Sequence, residues 1–190
     1  HGFGQLEVAN LHMIGWSRIH LMEFRQALEN GLASEAMASE VRNNRSLMFG
    51  KKLAGIMHYH LGDFEAARQY LEDAIALSRS MSSSNFVGQG LRQLAMVYQK
   101  LDDLERARKC AFEALEAIRQ VGMTFIGPTV LATCAYVTED DQRRFALLEE
   151  AEAILDSGCV AHNQLWFADI AIDDALSNGE WQSALRYADR

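Results

Sequence analysis

Two imidazoles lie close together at His58-Tyr59-His60, and His20 occupies the place of His60 one repeat earlier. Imidazole pairs hold transition metals, but residues two apart on a helix point to different sides. An ion bridging His20 and His60 would need a third ligand where the same spacing places Lys100. The histidines are therefore expected on a solvated face, with no metal and no cofactor. Gly88-Gln89-Gly90 hints at a phosphate cradle, yet it follows serines instead of a strand, and no G-x-x-x-x-G-K-S/T run occurs. It reads as the start of a helix. Glu149, Glu150 and Glu152, and Asp169 with Asp173, have the residue types of general acid/base work; on helices such groups form exposed faces. Cys110, Cys134 and Cys159 are odd in number and lack C-x-x-C spacing, so they are expected as free thiols that pack as small residues in the reducing cytoplasm. No catalytic constellation emerges, and the chain is not expected to be an enzyme.

The elements that carry these residues repeat. Leu61-Gly62-Asp63-Phe64-Glu65-Ala66-Ala67 aligns with Leu101-Asp102-Asp103-Leu104-Glu105-Arg106-Ala107 after it, and with Leu21-Met22-Glu23-Phe24-Arg25-Gln26-Ala27 at the same offset before it. Gly15, Gly55 and Ala95 share another position, as do Ser34, Ala74 and Ala114. Within a unit, Phe64, Ala67, Leu71, Ala74 and Ile75 recur at steps of three and four, the period of one helix face. Each unit therefore reads as helix, tight turn, helix, then a longer linker such as Ser80–Asn85. Asp63, and Asp102 or Asp103, are placed to cap the second helix. Gly15, Gly55, Ala67 and Ala107 are expected where paired helices approach most closely. A fourth, shortened unit carries Arg144 where the others have a small residue, and Asn178-Gly179-Glu180-Trp181 opens a fifth turn.

The order small, small, bulky, Gly or Asp, aromatic, Ala, Ala resembles the tetratricopeptide repeat; here it is Ala54-Gly55, His58, Gly62, Phe64, Ala67, Leu71 and Ala74. The early aromatic is replaced by Leu11, Lys51 or Leu91, and the terminal proline is absent. The resemblance implies an all-α, right-handed superhelical array of about five helix pairs, with units near 8–47, 48–87, 88–124, 125–164 and 165–190. Gly122-Met123, Phe125, Gly127-Pro128, His162-Asn163, Leu165-Trp166-Phe167, Asp169-Ile170 and Gly179-Glu180-Trp181 with Tyr187-Ala188 are similar to the C-terminal repeats of bacterial adenylate-cyclase-like proteins. In those, the repeats follow cyclase and ATPase domains, which implies a role in signal transduction.

Composition sets bounds on partners. A chain of 190 residues can bury roughly 70% of its unfolded surface. One proline and 13 glycines are too few for a sandwich with frequent turns. The formal charge of −8 is a poor match for a nucleic-acid backbone. The longest apolar run, Thr129–Val137, is about half a membrane span. A first residue other than Met, and a last residue inside an amphipathic pattern, are expected of a piece of a longer chain.

The resemblance also points to the first helix of each pair as the groove wall. That stripe reads Ala9, His12, Trp16, Ile19 and His20; Phe49, Lys52, Ile56, Tyr59 and His60; Gln89, Arg92, Met96, Gln99 and Lys100; Ile126, Thr129, Thr133 and Tyr136; then Trp166, Asp169, Asp173 and Leu176. Lys52, Arg92 and Lys100 make its middle basic, which suits an acidic or carboxylate-bearing segment of a protein, peptide or sister domain, with Trp16, Phe49 and Tyr59 as aromatic anchors. The competing reading puts these aromatics in the inter-repeat core and leaves the charges solvated. Trp16 and Ile56 occupy the places where the chaperone-tail clamp needs asparagines, so that ligand is not expected. Two further functions stay open: a small-ligand sensor, if the aromatics enclose a pocket, and a self-association scaffold or homodimer through apolar end faces.

Overall fold

Each of the first three repeats resolves into two halves closed by the same backbone turn. The computed structural model describes residues 2–189, with side chains from residue 4 onward. The helices are α1 (Gly2–His20), α2 (Phe24–Glu40), α3 (Asn44–His60), α4 (Phe64–Ser80), α5 (Ser84–Lys100), α6 (Leu104–Val121), α7 (Gly127–Tyr136), α8 (Asp141–Ser157), α9 (His162–Ser177) and α10 (Trp181–Ala188). From α2 to α6 the starts are evenly spaced, at Phe24, Asn44, Phe64, Ser84 and Leu104. Each intervening turn is a Schellman closure, in which two amides at the turn donate to carbonyls of the last helical turn. Gly62 N–H donates to Tyr59 O and Asp63 N–H to His58 O; Ser82 and Ser83 repeat this on Arg79 and Ser78. The left-handed position is occupied in turn by Met22, Arg42, Gly62, Ser82 and Asp102.

This corrects the expected linker at Ser80–Asn85. Ser84 and Asn85 are already helical, and the serine-rich stretch is the same short turn as the others. For the same reason α3, α5 and α9 begin ahead of the unit starts at 48, 88 and 165. The caps follow suit. Asp63 accepts from Ala66 N–H and Asp103 from Arg106 N–H, which leaves Asp102 as the left-handed residue; Asn43 and Asp140 cap α3 and α8.

The chain is all-α, a superhelical array of five helix pairs among the described residues. The odd-numbered helices pack on one another along its length and form a continuous inner layer, while the even-numbered ones sit outside. Leu53, Met57, Ala67 and Leu71 are fully buried between α2, α3 and α4. Truncating such a leucine to alanine costs about 2–5 kcal/mol. The small residues set the spacing: a Cβ on Gly50 would lie 2.7 Å from the Glu35 backbone, and one on Gly55 2.8 Å from Leu71. Gly88 and Gly90 serve the same purpose against Ile118 and Ile75, so the glycine doublet packs helices together. Phe24, Phe64 and Leu104 are each the first residue of an outer helix after the same turn.

The last two units are joined differently. Asn163 is buried and donates to Phe125 O at 2.8 Å, tying α9 to the segment before α7. Arg144, 2% exposed, reaches from α8 into the fifth unit, donating to Asp174 at 2.8 Å and to Glu180, with Asp141 at 3.4 Å. Burial lowers its proton affinity, but the bonds to Glu180 and Asp174 outweigh that and raise it. Cys134 donates to Ala111 O. Burial pushes its thiol up to about 12, and that of Cys110 up to about 11, so both stay protonated packing residues. No helix among the described residues is long and apolar enough to cross a membrane.

Candidate functional site: the inner chamber

The inner layer curls until its first and last members meet. α1 and α9 have no close backbone approach, but the Trp16 and Trp166 indoles touch edge to face at 5.4 Å, and His20 stacks on Trp166 at 6.3 Å. Behind this aromatic bridge lies a chamber of about 430 Å³. α1 lines it with Trp16, Ile19 and His20, α3 with Ile56, Tyr59 and His60, α5 with Arg92 and Met96, and α9 with Trp166, Asp169, Ile170 and Asp173. The periodicity that builds the helices places these residues: steps of three and four turn one flank of each inner helix to the lumen.

Its electrostatics are two-sided. Arg92 is only 7% exposed, and its guanidinium sits 5.8 Å over the Trp166 ring. Among the described residues no carboxylate forms an ion pair with it. Burial lowers its proton affinity to about 10, against the pull of Tyr59 and Asp169, so it is charged at neutral pH. Asp169 and Asp173 face it from α9; burial and the neighbouring Asp173 raise the Asp169 pKa. Lys100 approaches Asp173 at 3.8 Å. Burial and then Asp173 push the Tyr59 phenol upward, keeping it a neutral donor.

Next to the chamber lies a second cation. Lys52 is 5% exposed and donates to Gln89 Oε1 at 2.7 Å. Its ammonium lies 5.3 Å from the Phe49 ring, 5.7 Å from Phe86 and 5.8 Å from Trp16, close enough for cation–π attraction. It too forms no ion pair with a carboxylate among the described residues. Burial, then Arg92, bring its pKa down to about 8; burial, then Lys52, bring that of His12 down to about 4.

Of the residues expected from the sequence, Trp16, His20, Ile56, Tyr59, His60 and Arg92 come together around the chamber. Phe49 and Lys52 do not line it; Phe49 is wedged between His12 at 4.9 Å and Phe86 at 5.0 Å, bridging α1, α3 and α5. The Gln99 side-chain amide oxygen is buried with no hydrogen-bond partner among the described residues, and Lys100 stands at the rim. In the fourth unit the expected stripe fails. Thr129 and Thr133 are fully buried, their hydroxyls donating to Ile126 O and Thr129 O. His60 stacks on Phe24 and His58 on Tyr70, so the neighbouring imidazoles do diverge. No group of three or more metal-ligating side chains occurs among the described residues. Sequence reasoning misses Phe24, which reaches the chamber from the start of an outer helix, and it misses the contact between the first and fifth units. A spacing argument along one helix carries no signal for either.

Solved structures share this architecture. BtubC from P. vanneervenii superposes with a TM-score of 0.69 over 98% of this chain and 78% of its own, at 21% identity. The apo form of RapI gives 0.74 over 95% and 66%, at 13% identity. A putative kinesin light chain of Podosopora anserina, with nearly identical TPR-like repeats, gives 0.64 over 96% and 92%, at 15% identity. At these identities the likeness is one of fold. No curated protein matches the sequence. Residues 54–85 match the tetratricopeptide repeat family, and the array in which they stand has the tetratricopeptide-like fold, a type that generally mediates protein–protein contacts.

Proposed function

We propose that the chain is a non-catalytic interaction module whose inner wall receives a carboxylate-bearing segment of a protein partner or of a sister domain. Arg92 carries this reading: it is a buried cation facing the chamber, with no carboxylate among the described residues in contact with it. A buried charge costs free energy unless it is paired, so a site that maintains one is suited to a ligand that supplies the counter-charge. Lys52 behind it adds to the positive field, and Trp16, Ile56, Tyr59 and Trp166 offer apolar contact. The wider context belongs to the same proposal and rests on the C-terminal sequence resemblance and the thiols: a bacterial cytoplasmic signalling protein in which occupancy of the chamber is relayed to a cyclase or ATPase domain. Calorimetric titration of acidic peptides against the chain and Arg92→Glu tests the reading. The reversal should weaken binding at least about fivefold, by about 1 kcal/mol; equal affinities would remove Arg92 from the site.

A second reading, a sensor of a discrete small ligand, is favoured by one observation. The Trp16–Trp166 bridge delimits a space of about 430 Å³, within the range of small-molecule sites. Native mass spectrometry finding a stoichiometric adduct that excludes acidic peptides would select it.

A further inference from the structure

The chamber is lined by charge of both signs from two inner helices, Arg92 on α5 and Asp169 and Asp173 on α9, and this deepens the reading above, on which it rests. We propose that its ligand is a dipolar peptide segment, with an anionic group on Arg92, a cationic group on Asp169 and Asp173, and an apolar stretch between them. Arg92 has an indole over it and no carboxylate in contact; Asp169 has no cation in contact among the described residues, and Asp173 meets only Lys100 at 3.8 Å. The two charges sense each other across the lumen without forming a contact pair. Trp16, Ile56, Met96 and Trp166 line the same chamber and supply its apolar surface.

A purely acidic segment gains at Arg92 but is repelled by the two carboxylates on α9, and a purely basic one meets the reverse. Only a segment with both signs gains at both ends, so the second wall acts as a filter against wrong partners. The aromatic bridge supports this assignment. Trp166 is near both Arg92 and Trp16, so a group seated on Arg92 lies beside that indole. Binding should therefore be visible in the indole fluorescence.

The test is a library of end-capped hexapeptides screened against the full chain by tryptophan fluorescence, with hits measured by calorimetry. The hits are expected to carry one acidic and one basic residue separated by apolar ones. Arg92→Gln should weaken them about tenfold or more. Asp169→Asn with Asp173→Asn should also weaken them about tenfold, and should strengthen analogues in which the basic residue is replaced by Gln. Circular dichroism of each variant verifies the fold. Hits that need only the acid, and whose affinity is unchanged or improved in the double Asn variant, overturn the dipolar proposal and leave the acidic-segment function standing. A screen with no hits, or hits indifferent to Arg92→Gln, overturns both.

Discussion

Two buried cationic regions lie in different parts of this array, and they are built on opposite principles. Arg144 is surrounded by carboxylates of its own chain: Asp174, Glu180 and Asp141. Arg92 and Lys52 are also buried, yet among the described residues they lie against aromatic faces and one amide oxygen and form no ion pair. Internal neutralisation makes Arg144 a lock between the fourth and fifth units. Its absence around Arg92 leaves a charge that a partner can complete. Buried charge by itself is thus no marker of a binding site; the proposed function rests on buried charge without its counterpart.

The largest expected effect breaks the lock. Arg144→Met leaves Asp174 buried and unpaired and should cost about 3–5 kcal/mol, lowering Tm by roughly 10 °C in a thermal melt. Adding Asp174→Leu should recover most of that loss. A neutral Arg144→Met would erase the contrast between the two regions.

Removing the unpaired cation should do the reverse. Among the described residues Lys52 interacts with His12, Arg92 and Gln89 and pairs with no acid, and its folded pKa of about 8 lies below the ordinary 10.5. Below pH 8 the folded protein carries a charge it would more readily hold when unfolded. Stability should therefore climb as pH rises from about 8 towards 10.5. Lys52→Met should stabilise at pH 6 by up to about 3 kcal/mol and flatten that climb, as read by urea titration across the range. Next comes Arg92→Glu, whose loss of at least about 1 kcal/mol should show in binding, in contrast to the fold effect at Arg144. Smallest is Asp141→Asn. This carboxylate is exposed and 3.4 Å from Arg144, and its loss should shift stability by less than about 1 kcal/mol. A larger shift would mean that Asp174 and Glu180 do not by themselves neutralise Arg144.

The fold is legible in the sequence because its signal is repeated. Gly62, Asp63, Phe64 and Ala67 and their equivalents one unit away define the turn and the packing stripe, and three concordant copies outweigh any one deviation. Ser80–Asn85 misleads because serine composition resembles a loop, whereas the closure there is made by backbone amides and is indifferent to side chain. Arg144 is visible as an anomaly, but the two carboxylates it donates to lie 30 and 36 residues further on. Six of the residues that line the chamber stand on the helix face to which the repeat resemblance pointed. The fourth-unit stripe does not line it, because α7 is only 10 residues long and carries Thr129 and Thr133 into the core. The meeting of Trp16 with Trp166 depends on small rotations accumulated over four interfaces, a quantity that no local pattern encodes.

That meeting turns the whole array into a gauge. In a stack where each pair touches mainly its neighbours, a slight change of pitch at any junction adds to the displacement between the terminal members. The two indoles stand where those displacements sum. Their separation is therefore the distance in the molecule most sensitive to a change of pitch along the coil.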